Sequence, residues 1–462
     1  MAFIKSISGF RGTIGGLPDE NLTPVDAVKC SAAFVQFIWQ TNANKKITIV
    51  LGRDARLSGD MLSRLVSGTL IGMGVRVIDT GLSTTPTVEM AVINNKADGG
   101  IILTASHNPA QWNALKLLNA KGEFINADEG KMVLDFAAAN QFDFAPVEAL
   151  GECIVDDTTI DRHIEQVIAL NTVDVAAIRA ADFKVAFDGV CSTGGFVLKK
   201  LLKALGVKNI VALNDEPTGI FPHNPEPLPE NIRDICDIMV KEGCDVGFVV
   251  DPDVDRLAIV CENGEPFVEE YTLVAIADYI LSHTKGNTVS NLSSSRALRD
   301  VTAKYGTDYS AAAVGEVNVV EKMKQTDAVI GGEGNGGVIY PALHYGRDAL
   351  VGIALFLSLL AKKQMKCSDL RKTYPEYVIS KNKIELTPDI DVDLILKKIA
   401  DKYKNEDIST IDGVKINFAD CWVHLRKSNT EPIIRIYSEA ATSSQANELA
   451  NRIIEEIKAV SK

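Results

Sequence analysis

The chain has 462 residues, more than one hydrophobic core supports, so three or four domains are expected. Hydrophobic residues make up 46% of it and charged residues 24%, the balance of a water-soluble globular protein rather than a membrane-embedded or disordered one. A net charge of −13 argues against nucleic acid or an anionic membrane as the main partner, yet leaves room for a small anion gripped by local arginines.

Near the start, glycines flank an arginine in Ser8-Gly9-Phe10-Arg11-Gly12-Thr13, so the backbone can curl and let a guanidinium reach a phosphate. A strand, turn, helix and strand then follow from Ile47-Thr48-Ile49-Val50-Leu51 through Gly52-Arg53-Asp54 to Val75-Arg76-Val77-Ile78. The same order begins again at Lys184-Val185-Ala186-Phe187-Asp188 and a third time at Thr288-Val289-Ser290-Asn291-Leu292. Three such units argue for three related α/β domains with loops gathered at one sheet edge, where ligands bind. Between the second and third lies the Pro-rich stretch Phe221 to Pro229, expected to be a rigid surface loop. The last part alternates as antiparallel strands do, at Val414 to Phe418, Cys421 to Arg426 and Pro432 to Ser438, before a helix from about Ser444 to Val460. A charged, less patterned linker is expected before it, around Lys381 to Pro388.

Two loops carry chemistry. The apolar run Ile101-Ile102-Leu103 ends in Thr104-Ala105-Ser106-His107-Asn108-Pro109, where proline stops simple continuation and a serine stands beside a histidine, with Lys116 further along. Roughly 145 residues downstream, Asp251-Pro252-Asp253-Val254-Asp255-Arg256 sets three carboxylates at alternate positions between two strand-like runs. Alternation would put them on one side of an extended segment, the donor set a hard dication needs. An EF-hand does not fit, because Arg256 stands where the turn glycine belongs and strands flank the loop. A plain Ser/Asn/Pro turn and a solvated acidic turn are the blander readings. Together, though, a hydroxyl and three carboxylates leave a metal one position for a phosphoryl oxygen. Gly332-Glu333-Gly334-Asn335-Gly336-Gly337 formally satisfies G-x-G-x-x-G, but Val338-Ile339-Tyr340-Pro341 follows instead of the helix a dinucleotide site requires. The eight cysteines show no C-x-x-C pair and read as reduced core thiols. No signal-peptide pattern opens the chain and no apolar run is long enough to span a bilayer, so the expected location is the cytoplasm, with no membrane partner.

The serine and aspartate loops together resemble the α-D-phosphohexomutase family. The glycine-rich stretch at 332–337 is similar to its sugar-binding loop. Arg426-Lys427-Ser428-Asn429-Thr430-Glu431-Pro432 with Arg435 is similar to its phosphate-binding loop. The resemblance implies an α/β fold of three related mixed α/β domains plus a C-terminal α+β domain, at residues 1–153, 154–262, 263–378 and 379–462, with the active site in the cleft between them. It implies Ser106 phosphorylated at rest and Mg2+ on Asp251, Asp253 and Asp255 beside it. Phosphate would pass to a hexose monophosphate, giving a bound hexose 1,6-bisphosphate that turns around and returns its other phosphate. Arg11 and Arg256 would be active-site cations and Lys116 a proton-transfer residue, its pKa expected to be lowered by those cations. His107 would assist with protons or hold the loop. Glu333, aided by Asn335, would bind sugar hydroxyls, and Arg426, Ser428, Asn429, Thr430 and Arg435 would hold the phosphate that is not transferred.

The chain departs from much of the family where Asn335 and Gly337 replace Ser and His of the sugar loop, and where Glu316 follows Val314-Gly315 in place of histidine. This form, with Arg347-Asp348, resembles the archaeal-type phosphoglucosamine mutase branch. Glu316 is then expected near the sugar's 2-position, favouring an ammonium. Glucose or mannose phosphates are the alternative substrates. A metal-dependent phosphatase and a sugar-phosphate-binding protein without turnover are the more distant readings. A monomer or homodimer is expected.

Overall fold

The computed structural model describes residues 3–6, 9–42, 46–385, 391–427 and 433–460. It comprises two compact units, one of residues 1–272 with 335–371 and one of residues 273–334 with 372–462.

The first unit holds two sheets. Its seven-stranded sheet runs Ile4–Ser6, Gly9–Thr13, Trp112–Leu118, Gly99–Leu103, Thr48–Arg53, Arg76–Leu82, Cys153–Val155. The last four of these are mutually parallel and the rest antiparallel. Thr48–Arg53 and Gly99–Leu103 are buried almost throughout, as central parallel strands must be when helices cover both faces. Helix Pro24–Thr41 starts on a capping box between Thr23 and Asp26 and buries Phe34, Phe37 and Ile38 against this sheet. A four-stranded sheet, Leu257–Cys261, Val246–Val250, Lys184–Asp188, Asn209–Leu213, carries one antiparallel hairpin at its edge. Helix Ala349–Lys363 is buried along its whole apolar length and packs on Thr159–Ile168 and Val175–Ala181. Among the described residues no helix is long and apolar enough to cross a membrane.

In the second unit Thr288–Asn291 pairs in parallel with Tyr309–Ala312 and with Ile330–Glu333. All three strand–helix–strand repeats therefore form as the periodicity predicts, each with its two strands parallel and adjacent. The C-terminal sheet is antiparallel, in the order Val378–Glu385, Ile433–Ala440, Trp422–Lys427, Val414–Asn417, Asp407–Ser409. Helices Val392–Lys402 and Ser443–Val460 pack on it through Ile395, Ile399, Ile453 and Ile457.

One expected linker is not a linker. Val378–Glu385 is an edge strand paired along its full length with Ile433–Ala440. Its charge misleads because an edge strand alternates half-buried Asn382 and Ile384 with exposed Lys381, Lys383 and Glu385, and such lysines discourage pairing with another chain.

Candidate active site

Ser106 stands just beyond the strand Gly99–Leu103, with its backbone at φ +50°. That left-handed conformation is uncommon for a residue with a Cβ and costs about 1–3 kcal/mol unless the surroundings impose it. The surroundings do so. The buried Arg56 guanidinium donates to the carbonyls of Ser106 (2.5 Å), Asn108 (2.6 Å), Pro109 (2.8 Å) and Trp112 (3.0 Å). Asp54 fixes Arg56 in turn, accepting from its Nε at 3.0 Å, and accepts from Thr104 Oγ1 at 2.7 Å; Thr104 Oγ1 takes the Ser106 N–H at 2.9 Å. Both faces of the loop are thus tied to a single buried ion pair.

The three aspartates converge, but not by strand alternation. Asp251 to Arg256 form the tight turn between Val246–Val250 and Leu257–Cys261, with Val254 at φ +62°. Asp251 Oδ1 accepts the backbone N–H groups of Asp255 and Arg256 at 3.1 and 3.2 Å, closing the turn so that its side chains point inward. A carboxylate oxygen from each of the three lies within 4.8 Å of the others, and all three residues are buried. Ser106 Oγ donates to Asp251 Oδ2 at 2.6 Å and Thr85 Oγ1 to Asp253 Oδ2 at 2.6 Å. Among the described residues, Asp253 Oδ1 and Asp255 Oδ1 accept no hydrogen bond. Two orphaned, buried carboxylate oxygens beside a third carboxylate fit a hard divalent cation. Burial, then the charges of Asp255 and Asp253, push Asp251 well above the ordinary carboxylate range.

Cations ring this trio. Lys116 Nζ lies 2.8 Å from Asp253 Oδ2 and 3.7 Å from Asp255 Oδ2, and Arg347 Nη2 lies 2.6 Å from Asp255 Oδ2. Arg256 Nη1 pairs with Glu226 Oε1 at 3.0 Å, and Arg11 Nη1 donates to Asn108 Oδ1 at 3.2 Å. The expectation of a lowered Lys116 pKa is overturned. Burial pulls it down, but Asp253 and Asp255 outweigh burial and nearby arginine, and the net shift is upward. The nearest charges are anionic, and the Coulomb energy falls with distance.

His107 Nδ1 lies 3.4 Å from Ser106 Oγ. Burial, with Arg256 and Arg347 next in effect, pushes this imidazole down to about 2. It is therefore neutral throughout the range in which a free histidine titrates. His107→Gln should leave the shape of the pH–rate profile unchanged between about pH 5 and 8. Loss of the acid limb in that variant would show that His107 does titrate during turnover.

In the second unit Glu333 Oε1 accepts from Asn291 Nδ2 at 2.8 Å and from the Gly315 N–H at 3.1 Å, and Gly334 N donates to Ser294 Oγ at 2.9 Å. Gly315 is followed directly by Glu316, the buried first residue of helix Glu316–Gln325. Arg426 forms an ion pair with Asp412 at 2.8 Å, and Asp412 also accepts the Val314 N–H at 2.9 Å. Arg435 is exposed and directly opposite Arg426 across paired strands. Ser428, Asn429 and Thr430 lie outside the described residues. Asn335 belongs to the first unit, where its Oδ1 accepts the Gly337 N–H at 3.2 Å. The sequence reading missed Arg56, Thr85 and Glu226, and saw in Arg347 only a branch marker. The repeated arginine of Gly52-Arg53-Asp54-Ala55-Arg56 was the one local signal for the clamp.

Four family descriptions match in series: phosphoglucomutase/phosphomannomutase alpha/beta/alpha domains I (residues 5–143), II (161–264) and III (269–377), and the C-terminal domain (383–456). A Thermococcus kodakarensis protein named phosphoglucomutase/phosphomannomutase is 35% identical over 96% of this chain and 98% of its own. A Sulfurisphaera tokodaii protein named phosphoglucosamine/phosphogalactosamine mutase is 32% identical over 96% of this chain and 97% of its own. A solved structure of a phosphoglucomutase/phosphomannomutase family protein from Burkholderia thailandensis matches with a TM-score of 0.83 at 26% identity, covering 99% of this chain and 98% of its own.

Proposed function

The chain belongs to the α-D-phosphohexomutase family and is an isomerase-class phosphotransferase, and on that premise we propose that it interconverts glucosamine 1-phosphate and glucosamine 6-phosphate. The observation that carries the catalytic assignment is Ser106 Oγ, 2.6 Å from one of three buried carboxylates, two of which keep an oxygen without a hydrogen bond among the described residues. Asp251, Asp253, Asp255 and an oxygen on Ser106 would hold Mg2+, which when bound would neutralise charge on the phosphoryl oxygens.

The chain's own residues divide the remaining work. Ser106 Oγ carries the phosphoryl group, gives it to the free hydroxyl of the sugar monophosphate and takes the other phosphate back from the hexose 1,6-bisphosphate. The bond from Ser106 Oγ to phosphorus breaks as the bond from the sugar oxygen forms, and the sugar hydroxyl's proton replaces on Lys116 the one that Lys116 gives to the leaving Ser106 oxygen. Lys116, 2.8 Å from Asp253 Oδ2 and 3.7 Å from Asp255 Oδ2, supplies the proton and positive charge at the leaving Ser106 oxygen. Arg11, Arg256 and Arg347 offset the phosphoryl charge, while neutral His107 shapes the loop. Glu333 and Asn335 are assigned to the sugar hydroxyls, and Arg426 and Arg435, with Ser428, Asn429 and Thr430, to the phosphate that stays put. We divide the chain into domains at residues 1–153, 154–262, 263–378 and 379–462, working in the cytoplasm as a monomer or homodimer.

Glucosamine is favoured by Glu316, a buried carboxylate beside the Glu333 loop where an ammonium would be stabilised. Glucose or mannose phosphate is the second reading, in keeping with the name of the Thermococcus relative. A phosphatase is disfavoured, because a second phosphate grip has no use in hydrolysis. Purified protein with Mg2+ and a trace of the sugar 1,6-bisphosphate should convert glucosamine 1-phosphate with a higher kcat/KM than glucose or mannose 1-phosphate. Release of free phosphate without isomerisation would overturn the mutase assignment. In the same assay Glu316→His should move preference toward glucose 1-phosphate by about tenfold, the worth of one charged contact of about 1.4 kcal/mol. An unchanged ratio of specificity constants would remove Glu316 from the sugar site.

A further inference from the structure

Near the aspartate turn, the first unit buries a second group of side chains of metal-ligating type. His163 projects from helix Thr159–Ile168, His344 from the segment before helix Ala349–Lys363, and Asp348 caps that helix. Asp348 Oδ2 lies 3.0 Å from His163 Nε2 and 3.2 Å from His344 Nε2, and all three residues are buried. The other Asp348 oxygen is already used, accepting the N–H groups of Leu350 and Val351 at 2.8 and 3.3 Å. Each imidazole also meets an oxygen at its far nitrogen. His163 Nδ1 lies 2.9 Å from Thr87 Oγ1, and His344 Nδ1 lies 3.4 Å from Glu89 Oε2.

We propose that His163 Nε2, His344 Nε2 and Asp348 Oδ2 bind a second divalent ion of the zinc type, which joins the helix Thr159–Ile168 to the start of Ala349–Lys363. Donors 3.0 and 3.2 Å apart, each about 2.0–2.1 Å from zinc, subtend roughly 91–106° at the ion, somewhat below the tetrahedral value. Two imidazoles and one carboxylate suit zinc, whereas the all-oxygen trio suits magnesium. The outer contacts fit as well. With Nε2 on the metal, His163 Nδ1 bears hydrogen and can donate to the Thr87 hydroxyl, the arrangement that orients a metal-bound histidine, while His344 Nδ1 lies 3.4 Å from the Glu89 carboxylate without a hydrogen bond to it among the described residues. A hydrogen-bonded knot without metal would place protons on both Nε2 atoms. It would then aim the bare Nδ1 of a neutral His344 at the Glu89 carboxylate. Charge agrees too, since one dication balances the buried carboxylates of Glu89 and Asp348. Three protein donors leave one tetrahedral position for water.

The test uses untagged full-length chain carrying Asp251→Asn and Asp253→Asn, which disable the all-oxygen site. Titrated with Co2+, this protein should bind one equivalent and develop the strong visible absorption of tetrahedral cobalt, reversed by Zn2+. Adding His344→Gln should abolish that absorption. Should His344→Gln fail to fold, melting of the Asp-site variant decides instead: Zn2+ should raise its Tm and Mg2+ should not. Absence of the cobalt signal, its persistence after His344→Gln, or a Tm indifferent to Zn2+ would overturn the site.

Discussion

Replacing Ser106 with alanine should lower turnover at least about 10³-fold, the loss that follows removal of a nucleophile whose partners remain in place. The fold should survive, because the Ser106 hydroxyl bonds only to Asp251 and, at 3.4 Å, His107 among the described residues, while its backbone stays held by Arg56 and Thr104. Intact mass should show a phosphorylated form of the parent chain and none of Ser106→Ala. Ser106→Thr sharpens the test. It keeps a hydroxyl, but a β-branched residue tolerates φ +50° worse than serine, so activity should fall well below the parent. Full activity in Ser106→Ala, measured as conversion of sugar 1-phosphate to 6-phosphate, would move the phosphoryl carrier elsewhere.

The second large effect is expected at a residue that bears no chemistry. Arg56→Leu should destabilise the first unit by about 3–5 kcal/mol, because Asp54 is left as a buried charge without its partner. Four loop carbonyls would lose their donor as well. Urea unfolding reads this as a lower midpoint with an unchanged slope. Arg56→Lys separates holding from folding. Lysine keeps the charge beside Asp54 but cannot fork to four carbonyls, so Ser106 should relax from its left-handed backbone. We expect a smaller loss of stability than in Arg56→Leu, because Asp54 keeps a cationic partner, and turnover reduced about 100-fold, the scale of a misplacement of about 1 Å at a reacting group. A lysine variant with parental turnover would show that the loop holds its own conformation.

Contiguous residues made part of the molecule legible. The three strand–helix–strand repeats could be read because hydrophobic periodicity is local, and parallel pairing follows from a helix between two strands. Thr104 to Pro109 and Asp251 to Arg256 could be read because each packs its reactive side chains into six residues. What those aspartates do geometrically was less clear. A turn with Val254 at φ +62°, not strand alternation, brings them together, and no side-chain pattern announces a backbone angle.

The tertiary structure decided the rest, for one physical reason: electrostatics depends on distance through space. Arg56 lies 50 residues from Ser106, and Arg347 lies 92 from Asp255. Lys116 lies 137 from Asp253, and its approach to 2.8 Å of Asp253 and 3.7 Å of Asp255 reverses the sign of its pKa shift. Likewise His163 and Asp348, 185 residues apart, become a candidate metal site only when folding sets them 3.0 Å from each other. The sequence by itself determined which groups could react; folding decided which charges each of them feels.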